Sequence, residues 1–191
     1  LADTMGARVL SFNNRPNGLE EILGMEGSPN TIEELLSTQV ILVTGFVAAN
    51  NPVILLKIKQ AAEKGAKVVL MNPKGFEQKF PFAHQAIYTK NDLSSLQELA
   101  KALMDLGKIG KGDGYKEFKK SLDGVKVSKD ITEIAKLYAE AKKAMIVYQQ
   151  NLITVEAAEL IGQIALLSGH IGSPRDGILL VKAKNNSQGL V

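Results

Sequence analysis

The chain contains no cysteine. That excludes disulfides, iron–sulfur ligation and thiolate chemistry within its 191 residues. Its two histidines, His84 and His170, are far apart and form no H-x-x-x-H or comparable metal spacing. Tryptophan is absent, aromatics make up only 5% of residues, and the formal net charge is +3. Lysines recur from Lys57 to Lys79 and from Lys108 to Lys120, as they do on solvated helix faces and loops. A nucleic-acid-binding surface needs a stronger basic excess with aromatics interleaved to stack bases, so nucleic acid is not an expected partner. No apolar run approaches the ~18 to 20 residues of a membrane-spanning helix. The opening LADTMGARVL also lacks the charged start and apolar stretch of a secretory leader. Direct membrane insertion is therefore not expected. A start at Leu1 rather than Met, and an end on NNSQGLV, lead us to expect a single α/β domain, residues 1–191, that is a fragment of a larger chain.

What is present is an alternation of apolar runs and amphipathic stretches. Gln39 to Gly45 (QVILVTG) is continuous, apolar and β-branched, the pattern of a strand buried on both faces. After FVAANNP, Asn51 reads as a helix N-cap and Pro52 as the first helical residue. From Pro52 to Lys64 the apolar residues lie mostly on one face, and Gly65 stops the helix. Lys67 to Met71 (KVVLM) is a second strand, completing a βαβ unit with a right-handed crossover and a parallel sheet. HQAIYT is a third, short strand. Asp92 or Ser94 caps a helix running to about Leu106. The glycines of GKIGKGDG make 107–122 a flexible or inserted segment, although YKEFKKSL within it is amphipathic. Asp130 opens a further helix with Glu133 as capping-box partner. Ala144 to Tyr148 (AMIVY) is a buried strand, and Thr154 caps a helix that Gly169 closes. His170 to Val191 reads as loop containing a short apolar run, GILLV. The fold class is α/β: a three-layer, Rossmann-like, mostly parallel sheet with helices on both faces.

In an open parallel sheet, ligands collect at the carboxyl ends of the strands. Those ends are GFVAANNP, NPKG, TKNDL and YQQNLIT, each short and polar. Helix N-termini at Pro52, Ser94 and Val155 offer N–H groups to an anion. On the residues alone, Gly45 answers equally to a tight turn, Asp92 to a helix cap and Lys74 to an ordinary loop lysine. Ser168, His170 and Asp176 lie close in sequence but without a nucleophile elbow, and serine catalysis is not expected.

The order of these segments resembles the central cofactor-binding domain of the molybdopterin oxidoreductases, the formate dehydrogenase/DMSO reductase type. Four stretches carry the resemblance over nearly the whole chain. GSPNTIEELLSTQVILVTG is similar to the family's lead-in to its first strand and glycine. PVILLKIKQAAEKGAKVVLMNPK is similar to its helix, KGAK, strand and DPR. HQAIYTKNDLSSLQELAKAL is similar to its strand, PGTD and helix. LIGQIALLSGHIGSPRDGILLVKAKNNSQG is similar to its LALLTGNIGRPGAGV followed by RGQNNVQG. Within the family the chain most resembles the large iron–sulfur subunit of bacterial NADH-quinone oxidoreductase and related formate dehydrogenases.

In active members such a domain binds part of a molybdopterin guanine dinucleotide. The resemblance therefore implies Gly45, Asn72, Lys74, Asp92, Lys182, Asn185 and Asn186 as cofactor-facing positions, with no catalytic residue and no metal ligand. Several of these positions depart from the pattern. DPR is Asn72-Pro73-Lys74, PGTD keeps only Asp92, the later GMG turn is Gln149-Gln150-Asn151, and the RGQNN arginine is Lys182. The family's polar pair after the first glycine is Val47-Ala48, and no Cys follows FNNRP. An Arg-to-Lys change at a bidentate phosphate site is not neutral. The resemblance thus implies a domain of a respiratory NADH-quinone oxidoreductase subunit with a degenerate site. No cofactor is then expected within the chain, and the iron–sulfur clusters lie in other domains. Its partners are the remaining parent domains and other subunits of a respiratory complex on the cytoplasmic face of the membrane. The alternative is a domain that holds the molybdopterin guanine dinucleotide of an active molybdenum or tungsten, formate dehydrogenase-like enzyme.

Overall fold

The structure, a computed structural model, describes residues 18–25, 27–46, 48–75, 80–112 and 114–182. Asn185, Asn186 and Val47 lie outside the described residues, as does the segment before Gly18. Five strands form one sheet: β1 (Val40–Thr44), β2 (Lys67–Pro73), β3 (Gln85–Thr89), β4 (Ala144–Gln149) and β5 (Gly177–Val181). Their order is β3-β2-β1-β4-β5, and every pairing is parallel. The register sets Thr44 beside Met71 on one side and beside Tyr148 on the other.

The strands read as unbroken apolar runs because both faces of the sheet are covered. Val40, Leu42, Val69, Met71, Ile146, Tyr148, Ile178 and Leu180 face a layer built from helices α1 (Leu19–Leu23), α3 (Asp92–Asp105), α4 (Tyr115–Ser121), α5 (Lys129–Glu140) and α6 (Val155–Leu167). Ile41, Val43, Val68, Leu70, Met145, Val147, Leu179 and Val181 face the opposite way. They pack on helix α2 (Pro52–Glu63) and on a 3-10 turn over Ile32–Ser37. α5 buries Ile131, Ile134 and Tyr138 on one face, and each of the two isoleucines contributes about 1.5–3 kcal/mol.

The expected α/β class is the observed one. The differences are local and concern helix caps and the tail. α3 is capped by Asn91, whose side chain accepts from the Ser94 N–H, because Asp92 is turned inward. α5 is capped by Ser128, not Asp130: its hydroxyl accepts from the Ile131 N–H. GILLV is not a loop fragment but the fifth strand, since its run of apolar residues finds a place beside β4. Within 107–122, α4 buries Phe118, and Leu122 follows it into the core.

Candidate functional site

The helices following β1 and β4 leave the sheet on opposite faces, α2 on one and α6 on the other. The neighbouring pair β1 and β4 is therefore the switch point of the sheet, the place where open parallel sheets form a ligand crevice at the carboxyl edge.

Gly45 follows β1 with φ +50 and is buried. A Cβ there would collide with Ile153 Cγ2, so the chain needs glycine both for the left-handed turn and for the close packing of Ile153. Asp92, at the start of α3, reaches back to this turn. Its Oδ1 accepts the Thr44 hydroxyl at 2.9 Å. Burial pushes the Asp92 carboxyl above its ordinary value, while hydrogen bonds from Thr44 and the Gly45 backbone pull the other way. Asp92 is thus spent on holding the β1 turn. Asp92, a cofactor-facing position by the resemblance, lies here against the Thr44–Gly45 turn.

Across the crevice, the Gln149 N–H donates to the Gly45 carbonyl at 3.1 Å, extending the β1–β4 ladder. The Gln149 side chain is only 2% exposed. Its Oε1 accepts from Asn51 Nδ2 at 2.8 Å, and its Nε2 donates to Asn151 Oδ1 at 2.8 Å. Asn51 stands before Pro52, as the sequence indicates, but its side chain makes no cap hydrogen bond to α2. The amide is committed to Gln149 instead.

At the end of β2, Asn72 is buried, and the exposed Lys74 donates its backbone N–H to the Thr89 carbonyl. Lys182 follows β5 and is half-buried. The structure therefore brings Gly45 and Asp92 into contact, places Asn72 and Lys74 on the neighbouring strand end, and sets Lys182 two strands from β1 in the other direction. Sequence reasoning missed Thr44, Ile153 and the Asn51–Gln149–Asn151 chain. A threonine closing an otherwise apolar run was the available signal for Thr44. No sequence signal foretold the amide chain, because it joins residues 98 positions apart.

The donor set described along this edge suits an anionic ligand rich in hydrogen-bond acceptors and donors: Lys74 and Lys182, neutral amides, and the first turn of α2, which no side chain caps. Among the described residues, the Asn51–Gln149–Asn151 chain lies across the β1–β4 switch point. Among the described residues, no group of His, Cys, Asp and Glu could hold a metal ion.

The opposite edge is differently built. A cavity of about 290 Å³ there is lined by Pro29, Asn30, Glu34, Gly172, Ser173 and Pro174. Its polar groups serve each other: Glu34 accepts from the Thr31 N–H and from Asn30, and the Thr31 bond holds its carboxyl below the usual range. His170 and Asp176 form a buried pair at 2.7 Å, with Asp176 also accepting the Ala144 N–H. Ser168 turns its hydroxyl onto the Ile164 carbonyl of its own helix. The three residues do not form a triad.

No family model matches the chain. It is similar to formate dehydrogenase H of Escherichia coli, with 24% identity over 194 residues, covering 90% of this chain and 27% of that protein. It is also similar to the F420-dependent formate dehydrogenase subunit alpha of Methanocaldococcus jannaschii, with 23% identity over 90% of this chain and 29% of the relative. The chain thus spans less than a third of the length of the curated relatives it matches. Among solved structures it superposes on the acetylene hydratase of Pelobacter acetylenicus with a TM-score of 0.62, at 12% identity over 84% of this chain and 25% of that one. A chain of the formyltransferase/hydrolase complex of Methylorubrum extorquens gives a TM-score of 0.56 at 16% identity, covering 98% of this chain and 49% of that one. The two structural likenesses speak for the fold. The formate dehydrogenases support the molybdopterin oxidoreductase family for this chain, and not specifically the large iron–sulfur subunit of NADH-quinone oxidoreductase.

Proposed function

We propose that this chain is the central domain of a formate dehydrogenase-like molybdopterin oxidoreductase, and that its carboxyl edge receives the guanine dinucleotide part of the pterin cofactor. The observation that carries the reading is the alignment with formate dehydrogenases over 90% of the chain. The cofactor would supply the metal and redox chemistry. This chain's residues would position it. Lys74 sets a positive charge at the end of β2, and Asn72 and Lys182 supply hydrogen bonds on either side of the crevice. Asn185 and Asn186 belong to the same proposed surface. Asp92 and Thr44 fix the turn at Gly45. Iron–sulfur clusters, other domains of the parent and other subunits complete the enzyme.

The respiratory reading, a degenerate domain of an NADH-quinone oxidoreductase subunit at the cytoplasmic face of the membrane, is less well supported. The relatives are formate dehydrogenases. What favours it is the set of changed ligand positions, Asn72, Lys74 and Gln149 above all. The full-length protein separates the two. Purified anaerobically, it should contain molybdenum or tungsten with a guanine dinucleotide pterin and should reduce an artificial acceptor with formate. Protein free of both metal and pterin, from cells able to make them, contradicts the proposal.

A further inference from the structure

Asn51 has two possible jobs, and the structure shows it doing only one. As the residue before Pro52 it is placed to cap α2, yet its side chain makes no cap bond and reaches Gln149 at 2.8 Å. α3, α5 and α6, by contrast, are each capped by a side chain, from Asn91, Ser128 and Thr154. Gln149 is buried and holds Asn151 with its other end. The three amides therefore tie the N-terminus of α2 to the β4–α6 connection directly over the switch point.

We infer that this amide chain is a strap that keeps the β1–β4 crevice shut, and that Asn51 opens it by turning from Gln149 to cap α2. The inference rests on the proposed dinucleotide ligand and adds to it how that ligand gains entry. The exchange gives up the Asn51–Gln149 bond and gains a cap bond on α2. In the closed form the first turn of α2 goes without a side-chain cap. In the open form Asn51 supplies the cap bond that this position favours. Two such arrangements make a two-state element, and a ligand that enters only the open form shifts it by its differential affinity. The apparent affinity is lowered by the fraction of molecules that are shut.

The test uses the full-length protein from cells unable to make the pterin, with GDP as the probe. Asn51→Ser breaks the strap, because serine is too short to reach Gln149, but remains a strong cap. Aspartate would not serve, since a flipped Gln149 amide would still bond it. Gln149→Ala breaks the strap from the other end. The Gln149 N–H, which donates to Gly45, should exchange faster with solvent in Asn51→Ser. GDP should bind about 5-fold or more tightly to both variants than to the wild type. Unchanged exchange together with unchanged GDP affinity overturns the strap. Faster exchange with no GDP binding by any variant keeps the strap and overturns the dinucleotide reading instead.

Discussion

Asp92 illustrates how a single side chain can be legible in kind and misread in role. The sequence marks an acid at the start of a helix beside a strand end. The fold turns it inward, where it holds Thr44 and the Gly45 turn. Burial raises its pKa, so the folded protein holds that proton to a higher pH than the unfolded chain does. Between the ordinary value of 3.8 and the raised one, the folded state binds more protons, and stability falls as pH rises through this window. Asp92→Asn should flatten that slope in urea unfolding measured across acidic pH. Thr44→Val removes a hydrogen bond that favours the charged carboxylate. It should raise the Asp92 pKa further, read by carboxyl NMR titration, and destabilise the fold by about 1–3 kcal/mol.

Gly45 makes a second claim at this scale. Gly45→Ala meets both a left-handed backbone and the Ile153 side chain. The strained backbone alone costs about 1–3 kcal/mol. Adding Ile153→Ala should recover the steric part and leave the backbone part. Full additivity of the two costs in a double-mutant cycle would show that Ile153 is not what fills the turn.

Among the elements, β5 shows why part of the fold was hidden from the sequence. Its apolar run is short, and it stands at the sheet edge. What makes it a strand is a partner far away in the chain. The Ile178 N–H donates to Asn30 Oδ1, the Leu180 N–H donates to Ser28 Oγ, and the Ser28 hydroxyl donates to the Ile178 carbonyl. These side chains satisfy donors that an edge strand would otherwise offer to another molecule. Asn30→Ala should therefore cost about 1–3 kcal/mol in chemical denaturation and increase aggregation during refolding. A variant as stable and as soluble as the wild type would show that the edge does not need this cover. β1 and β2 were legible because burial on both faces leaves continuous apolar runs. The caps of α3 and α5 were not, because several polar residues stand at each helix start and only the tertiary structure chooses among them.

At the scale of the molecule, the two sheet edges divide the labour. The amino edge is tied together by the His170–Asp176 pair and by Gln39, whose Oε1 accepts from the Lys142 and Lys143 N–H groups, and its cavity is lined by groups that bond one another. Of the positions that the family resemblance implied, Gly45, Asn72, Lys74, Asp92 and Lys182 lie at the carboxyl edge. The residues alone gave the α/β class and this edge. Which polar groups are spent internally depended on contacts between β1, α2, α3 and β4 that no local pattern encodes. No described helix is long and apolar enough to cross a membrane. The chain spans less than a third of the length of the curated relatives it matches.

The central claim is that the ligand lies at the carboxyl edge over the switch point. Amide hydrogen exchange on the full-length protein, compared with and without the proposed pterin cofactor, tests it most directly. The account predicts protection concentrated at Thr44 to Phe46, in the first turn of α2, at Asn72 to Lys74 and at Gln149 to Asn151. Protection confined to the amino edge around Asn30 and Glu34, or none anywhere in this domain of cofactor-loaded protein, would contradict it.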